Sequence, residues 1–238
     1  MCTVTYIPAP SGFYLTSSRD ESTGRPTLFP QEYLSGKQKL VYPKDEMKGG
    51  SWMAVSSNRR AACLLNGAFE RHERKENYSK SRGLILIESF SYKEIQDFIM
   101  SVPLEGVEPF TLLLLEYPKE IITSFNELRW DGKKKHSKLL DPNTPQIWSS
   151  VTLYEREVIQ WRKKLFESWI KKNPSIEDRW MMDFHATKYG IPQSEDILMK
   201  RDDSLMTLSI SQIHVSKEAT RFNYSDLITQ KYHSLLLK

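Results

Sequence analysis

The chain opens on an alternation of Cys, Thr, Val, Thr, Tyr and Ile over residues 2–7. It is rich in β-branched residues and predicts a strand. A Pro-Ala-Pro-Ser-Gly stretch over 8–12 breaks it, and 13–17 predicts a second strand, so the two form a hairpin. Residues 19–41 carry Pro26 and Pro30 among polar and aromatic residues and read as a long irregular excursion. Gly49-Gly50 opens a strand over 51–55, and 61–65 is an apolar run closed by Asn66-Gly67. Their short separation predicts an antiparallel pair.

Further along, apolar positions 84, 85, 87, 90, 95, 98 and 99 mostly suit one helix over 81–100. Three strands follow, over 110–116, 121–130 and 135–140, with a turn at Trp130-Asp131-Gly132. An amphipathic helix is predicted over 154–172, stopped near Asn173-Pro174, with the stripe Trp161, Leu165, Trp169 packing on a sheet. A second helix over 177–188 ends at Gly190, and 204–215 and 219–227 are closing strands. The order is strands, helix, strands, helices, strands. Without regular βαβ alternation this predicts an α+β protein in which antiparallel sheet is layered with helices. No repeat or linker divides the chain, so residues 1–238 read as one domain.

Composition narrows the function classes. Apolar residues are 39% and charged residues 27%, ordinary globular values. No apolar run approaches the roughly 20 residues of a spanning helix. The first ten residues lack a basic and apolar leader. Two cysteines, Cys2 and Cys63, make neither a disulfide framework nor a zinc spacing, which predicts a reducing, cytoplasmic setting. Cys63, inside an apolar strand, reads as core. The net charge of +4 is mild, and the basic runs 133–135, 162–164 and 171–172 read as solvated tips and helix faces. Nucleic acid is therefore not an expected partner. Five histidines, at 72, 136, 185, 214 and 233, show no metal spacing and read as structural or solvent-facing.

A set of short segments carries a resemblance. Residues 15–21, Leu-Thr-Ser-Ser-Arg-Asp-Glu, are followed by Arg25-Pro26. Gly49-Gly50-Ser51-Trp52, Cys63-Leu64-Leu65-Asn66, Ser81-Arg82-Gly83 and Trp148-Ser149-Ser150 come after, and Cys2 directly follows Met1. In this order they resemble the NRDE family, the transport and Golgi organisation protein 2 family, over about the first two-thirds of the chain. Ser18 stands where the family has its naming Asn, and Ser150 where many members have Asn. The resemblance implies the four-layer αββα sandwich of N-terminal-nucleophile hydrolases and kinship with cysteine-type amidases. It also implies an alternative, in which the same scaffold binds or traffics heme, an acyl lipid or acyl-coenzyme A without catalysis.

The residues themselves can support hydrolysis of an amide or thioester. Cysteine is small enough for removal of Met1 by methionine aminopeptidase. Cys2 would then carry a free α-amine, whose reference pKa of roughly 7.7–8 lets it act as the base for its own thiol. Arg19 can favour the thiolate from across the hairpin. Asp20 can hold the α-ammonium or the arginine. Asn66, at a strand end, can donate to an oxyanion, as can backbone amides near Gly49-Gly50 or Gly67. Arg221 is a further candidate, because related amidases carry a functional Arg in the last third. Each has a plainer reading: Cys2 as a strand residue behind a retained Met1, Arg19-Asp20-Glu21 as a surface turn, and Asn66-Gly67 as a hairpin turn. The scheme requires no cofactor, and heme enters only as a ligand of the non-catalytic alternative. The expected partner is a small molecule: an amide, an acyl thioester or heme. Residues 25–40, with Phe29 and Tyr33, are a candidate overhang of the site.

Overall fold

The computed structural model describes residues 3–119, 121–174 and 178–237, without the side chains of 178–181. Its strands are β1 (Thr3–Ala9), β2 (Gly12–Ser22), β3 (Thr27–Ser35), β4 (Gln38–Asp45), β5 (Met53–Ser56), β6 (Arg60–Asn66) and β7 (Phe110–Glu116). They continue with β8 (Ser124–Trp130), β9 (Lys135–Leu139), β10 (Gln146–Ser149), β11 (Leu205–Val215), β12 (Thr220–Asp226) and β13 (Tyr232–Leu237). The helices are α1 (Arg82–Glu88), α2 (Ile95–Ser101), α3 (Arg156–Lys172) and α4 (Asp178–Ala186). One sheet has the order β10-β1-β2-β11-β12-β13 and the other runs β3-β4-β5-β6-β7-β8-β9. The strands pair antiparallel in both.

The alternation of β2 explains the layering. Phe13 and Leu15 enter the large core between the sheets, while Tyr14 joins a second cluster with Phe166, Phe184 and Ile197 beneath the helices. Across the interior Tyr6 meets Phe125 at 4.7 Å and Phe13 meets Tyr117 edge-on at 5.2 Å. Helices α3 and α4 lie on the first sheet, and α1 and α2 on the second. This is the expected αββα sandwich. No helix among the described residues is long and apolar enough to cross a membrane.

Three local expectations are corrected, and two strands are added. Residues 19–41 are not an irregular excursion: β2 runs on to Ser22, and β3 and β4 form the edge of the second sheet. Prolines are tolerated in such edge positions. Residues 81–100 are not one helix. Ser89 and Ser91 donate their hydroxyls to the Leu86 and Glu88 carbonyls at 2.7 Å each, and the chain passes through a 3-10 turn between α1 and α2. Arg162 is not on a solvated face but fully buried in α3. Strands β10 and β13 were not anticipated, and β10 closes the first sheet beside β1.

Candidate functional site

Strand β2 presents Arg19 to the space between the sheets, on the face that Phe13, Leu15 and Ser17 share. Arg19 is 3% exposed. Its Nη2 lies 3.3 Å from Asp45 Oδ2, both terminal nitrogens reach the Arg25 carbonyl at 3.3 and 3.4 Å, and its guanidinium sits 4.7 Å over the Trp52 ring. Burial lowers the Arg19 pKa, and Glu21 and Asp45 push it back up. Arg25 shares Asp45 through Nε at 2.6 Å and holds Glu21 at 2.8 Å. Trp52 is fixed from behind by its Nε1, which donates to Ser211 Oγ at 3.2 Å.

Asp45 also organises the glycine turn. Its Oδ1 accepts from the Lys48 amide, its carbonyl from the Gly49 amide, and its own amide donates to the Gly50 carbonyl. That turn abuts the start of α1. A Cβ on Gly50 would fall 2.4 Å from the Gly83 carbonyl carbon, and one on Gly83 2.8 Å from the Ser51 carbonyl oxygen. The Ser51 amide donates to the Gly83 carbonyl at 3.3 Å, and Ser81 caps α1 by accepting from the Leu84 amide. Two of the quoted short segments are thus one backbone-to-backbone contact that only glycine permits. Beside it Arg82 pairs with Glu108 at 3.1 Å.

These groups line a cleft of about 470 Å³ containing Arg19, Arg25, Gly50, Trp52, Asn66 and Arg82. Of the candidate residues, the structure therefore brings Arg19 and Asn66 together. Cys2 lies outside the described residues. Asn66 ends β6, but no hairpin follows, so Asn66-Gly67 is not a hairpin turn. Its carbonyl accepts from Ser150 Oγ at 2.8 Å, which gives Ser150 a structural task. The Gly49 and Gly67 amides are already donated, to the Asp45 and Pro109 carbonyls. Of the donors foreseen, that leaves the Asn66 side chain and the Gly50 amide, and both residues line the cleft.

Asp20 does not hold Arg19. One residue further along β2, it faces the helices, where Thr207 Oγ1 donates to Oδ1 at 2.6 Å and the Tyr154 hydroxyl to Oδ2 at 2.8 Å. Asp45 takes the arginine-holding role. Nothing in the sequence flagged Asp45, whose one signal is its position four residues before Gly49. Arg221 lines a different cavity, about 590 Å³ under α4, with Asn223 and Tyr232. Residues 25–40 do not overhang the site as a loop: Arg25 lines it, while Phe29 stacks on His233 and Tyr33 on Tyr42. Cys63 is core as expected, and burial pushes its thiol up to about 12. His185 is structural: its Nδ1 and Nε2 bond Ser18 Oγ at 2.7 Å and Thr5 Oγ1 at 2.8 Å.

The sandwich and its end-on cleft define an N-terminal-nucleophile hydrolase-like fold. Conjugated bile acid hydrolase from Clostridium perfringens matches with a TM-score of 0.61 at 8% identity, over 100% of this chain and 92% of that one. The Caenorhabditis elegans ortholog of N-acylethanolamine-hydrolyzing acid amidase matches at 0.57 and 8%, over 89% and 92%. Penicillin V acylase from Agrobacterium tumefaciens matches at 0.52 and 11%, over 100% and 86%. At these identities the likeness concerns the fold. No curated protein sequence matches. The transport and Golgi organisation 2 family model matches residues 1–231, and the chain belongs to that family.

Proposed function

We propose that this protein is an amide hydrolase whose nucleophile is Cys2, exposed by removal of Met1. The observation that carries the reading is the meeting of Arg19 and Asn66 in one cleft at the end of the sandwich where β1 begins. Thr3 pairs with Ser18. Cys2 directly precedes Thr3 in the sequence, and Arg19 directly follows Ser18. In this scheme the α-amine of Cys2 takes the thiol proton, and the Arg19 guanidinium favours the thiolate. The Asn66 amide donates to the oxyanion formed on the substrate carbonyl. Asp20, held by Thr207 and Tyr154, is assigned to the α-ammonium.

The test uses protein purified without an N-terminal tag. Intact mass is expected to show loss of Met1. Iodoacetamide at pH 7 is expected to label Cys2 much faster than a free cysteine, and Arg19→Gln to slow it by about tenfold or more. Retained Met1, or ordinary Cys2 reactivity, overturns the mechanism. Heme or acyl-coenzyme A that binds equally well to Cys2→Ser, with no turnover, would select the non-catalytic alternative.

A further inference from the structure

Asn66 lines two cavities. The first is the cleft that holds Arg19. The second, about 140 Å³, is walled by Leu65, Ile147, Trp148, Val151 and Ile159. In the sheet, β1 lies between β2, which supplies Arg19 to the cleft, and β10, which supplies Ile147, Trp148 and Ser149 to the slot. Thr3 is paired to Ser18 on one side and to Ser149 on the other. The start of β1 therefore lies between the strands that line the two chambers.

Their chemistry differs. In the slot most polar side chains are engaged: Arg129 clasps both Glu127 oxygens at 2.9 and 3.0 Å and donates to the Ala68 carbonyl, Trp148 Nε1 donates to Glu127 at 2.7 Å, and Thr111 Oγ1 donates to the Gly67 carbonyl at 2.9 Å. Apart from Asn66 and Ser149, what remains of the lining is apolar. At the roughly 30 Å³ a water occupies, the slot holds on the order of four or five heavy atoms. In the cleft, Arg19 and Arg25 are matched by Asp45 and Glu21, Arg82 by Glu108, and Lys80 by Glu88. Lys48, Arg74 and Lys75 also line it, with Glu76 as the remaining anion, and none of these four has an ion-pair partner among the described residues. The cleft mouth thus keeps an excess of free positive charge, which attracts an anion.

We propose that the substrate is a short-chain N-acyl compound whose amine portion carries negative charge. This rests on the amidase reading above. The acyl chain enters the apolar slot, and the anionic amine portion lies in the cleft toward Lys48, Arg74 and Lys75. The Cys2 sulfur forms a bond to the acyl carbon, the carbon–nitrogen bond breaks, and the leaving amine takes the proton held by the α-amine. Water then cleaves the thioester, releasing the short acid and restoring the thiol.

Three probes test it: N-propionyl-glutamate, its uncharged N-propionyl-glutamine amide, and N-dodecanoyl-glutamate. Binding is measured by calorimetry to Cys2→Ala, and glutamate release by mass spectrometry with the unmodified protein. N-propionyl-glutamate is expected to bind at least about tenfold more tightly than either other probe. The double variant Arg74→Ala/Lys75→Ala should erase the charge preference and flatten its salt dependence. Val151→Trp should weaken the propionyl probes. Equal binding of all three, or indifference to both variants, overturns the inference whatever is hydrolysed. Selective binding without glutamate release leaves the ligand class standing and overturns the hydrolase reading.

Discussion

Two buried arginines sit on opposite faces of the first sheet, and their surroundings assign them different work. Arg162, from α3, is sealed. It donates to Thr3 Oγ1 at 2.6 Å and to the Glu195 and Asp196 carbonyls, and it lies 3.5 Å over the Tyr154 ring. Every partner is part of the fold. Arg19, almost as buried, opens onto a cleft and shares its carboxylate with Arg25. A guanidinium surrounded by fixed acceptors holds segments together. One held by a neighbour's carboxylate and turned to a cavity is positioned for something that arrives.

The sharpest way to break that comparison is to remove each charge. Arg162→Met keeps volume but strands two carbonyls and a hydroxyl in the interior, and it should cost about 3–5 kcal/mol. Arg19→Gln leaves Asp45 still paired with Arg25 and accepting from the Lys48 amide, so about 1–2 kcal/mol is expected. Denaturant titration of both variants decides the matter. Equal losses would mean that Arg19 is simply another structural residue.

The fold was legible because strand alternation and a clean amphipathic helix each dictate one face. The hairpin of β1 and β2, the β5–β6 pair and α3 all follow from such local patterns. The break between α1 and α2 was not legible, since apolar spacing continues through Ser89 and Ser91 while their hydroxyls compete for the helix carbonyls. Arg19 and Asn66 could be singled out because they lie in recognisable short segments. Asp45 could not, because its role exists only once β4 and the glycine turn meet β2. Arg162 was misread for the same reason. Its place in a Lys-rich run signals solvent, and partners remote in the sequence, the Thr3 hydroxyl and the carbonyls of 195 and 196, make its burial tolerable.

The outer face sharpens further under acid. His185 has no solvent exposure, and burial, aided by Arg162, lowers its pKa from 6.5 to about 3. The folded protein therefore keeps this ring neutral over a range in which the unfolded chain binds a proton. The resulting stability is complete above about pH 6.5 and declines as pH falls toward the folded value, by about 1.4 kcal/mol per pH unit. Unfolding measured at pH 7 and pH 5 should differ by about 2 kcal/mol from this ring, and His185→Gln should flatten that difference. An unchanged pH slope in the variant would contradict the assignment of the ring as a buried neutral anchor.

The smallest effect concerns Ser18. Its hydroxyl bonds His185 Nδ1, so it ties α4 to β2 on the face away from Arg19. Ser18→Ala leaves one ring nitrogen without its partner and should cost about 1–2 kcal/mol. The iodoacetamide reactivity of Cys2 should not change, because the neighbouring backbone of β2 stays paired to β1 and β11. Lowered stability with unchanged Cys2 reactivity would confirm that Ser18 anchors the fold while Arg19, the next residue of β2, serves the chemistry. A shift in Cys2 reactivity as large as that of Arg19→Gln would show instead that the two faces are coupled through the strand.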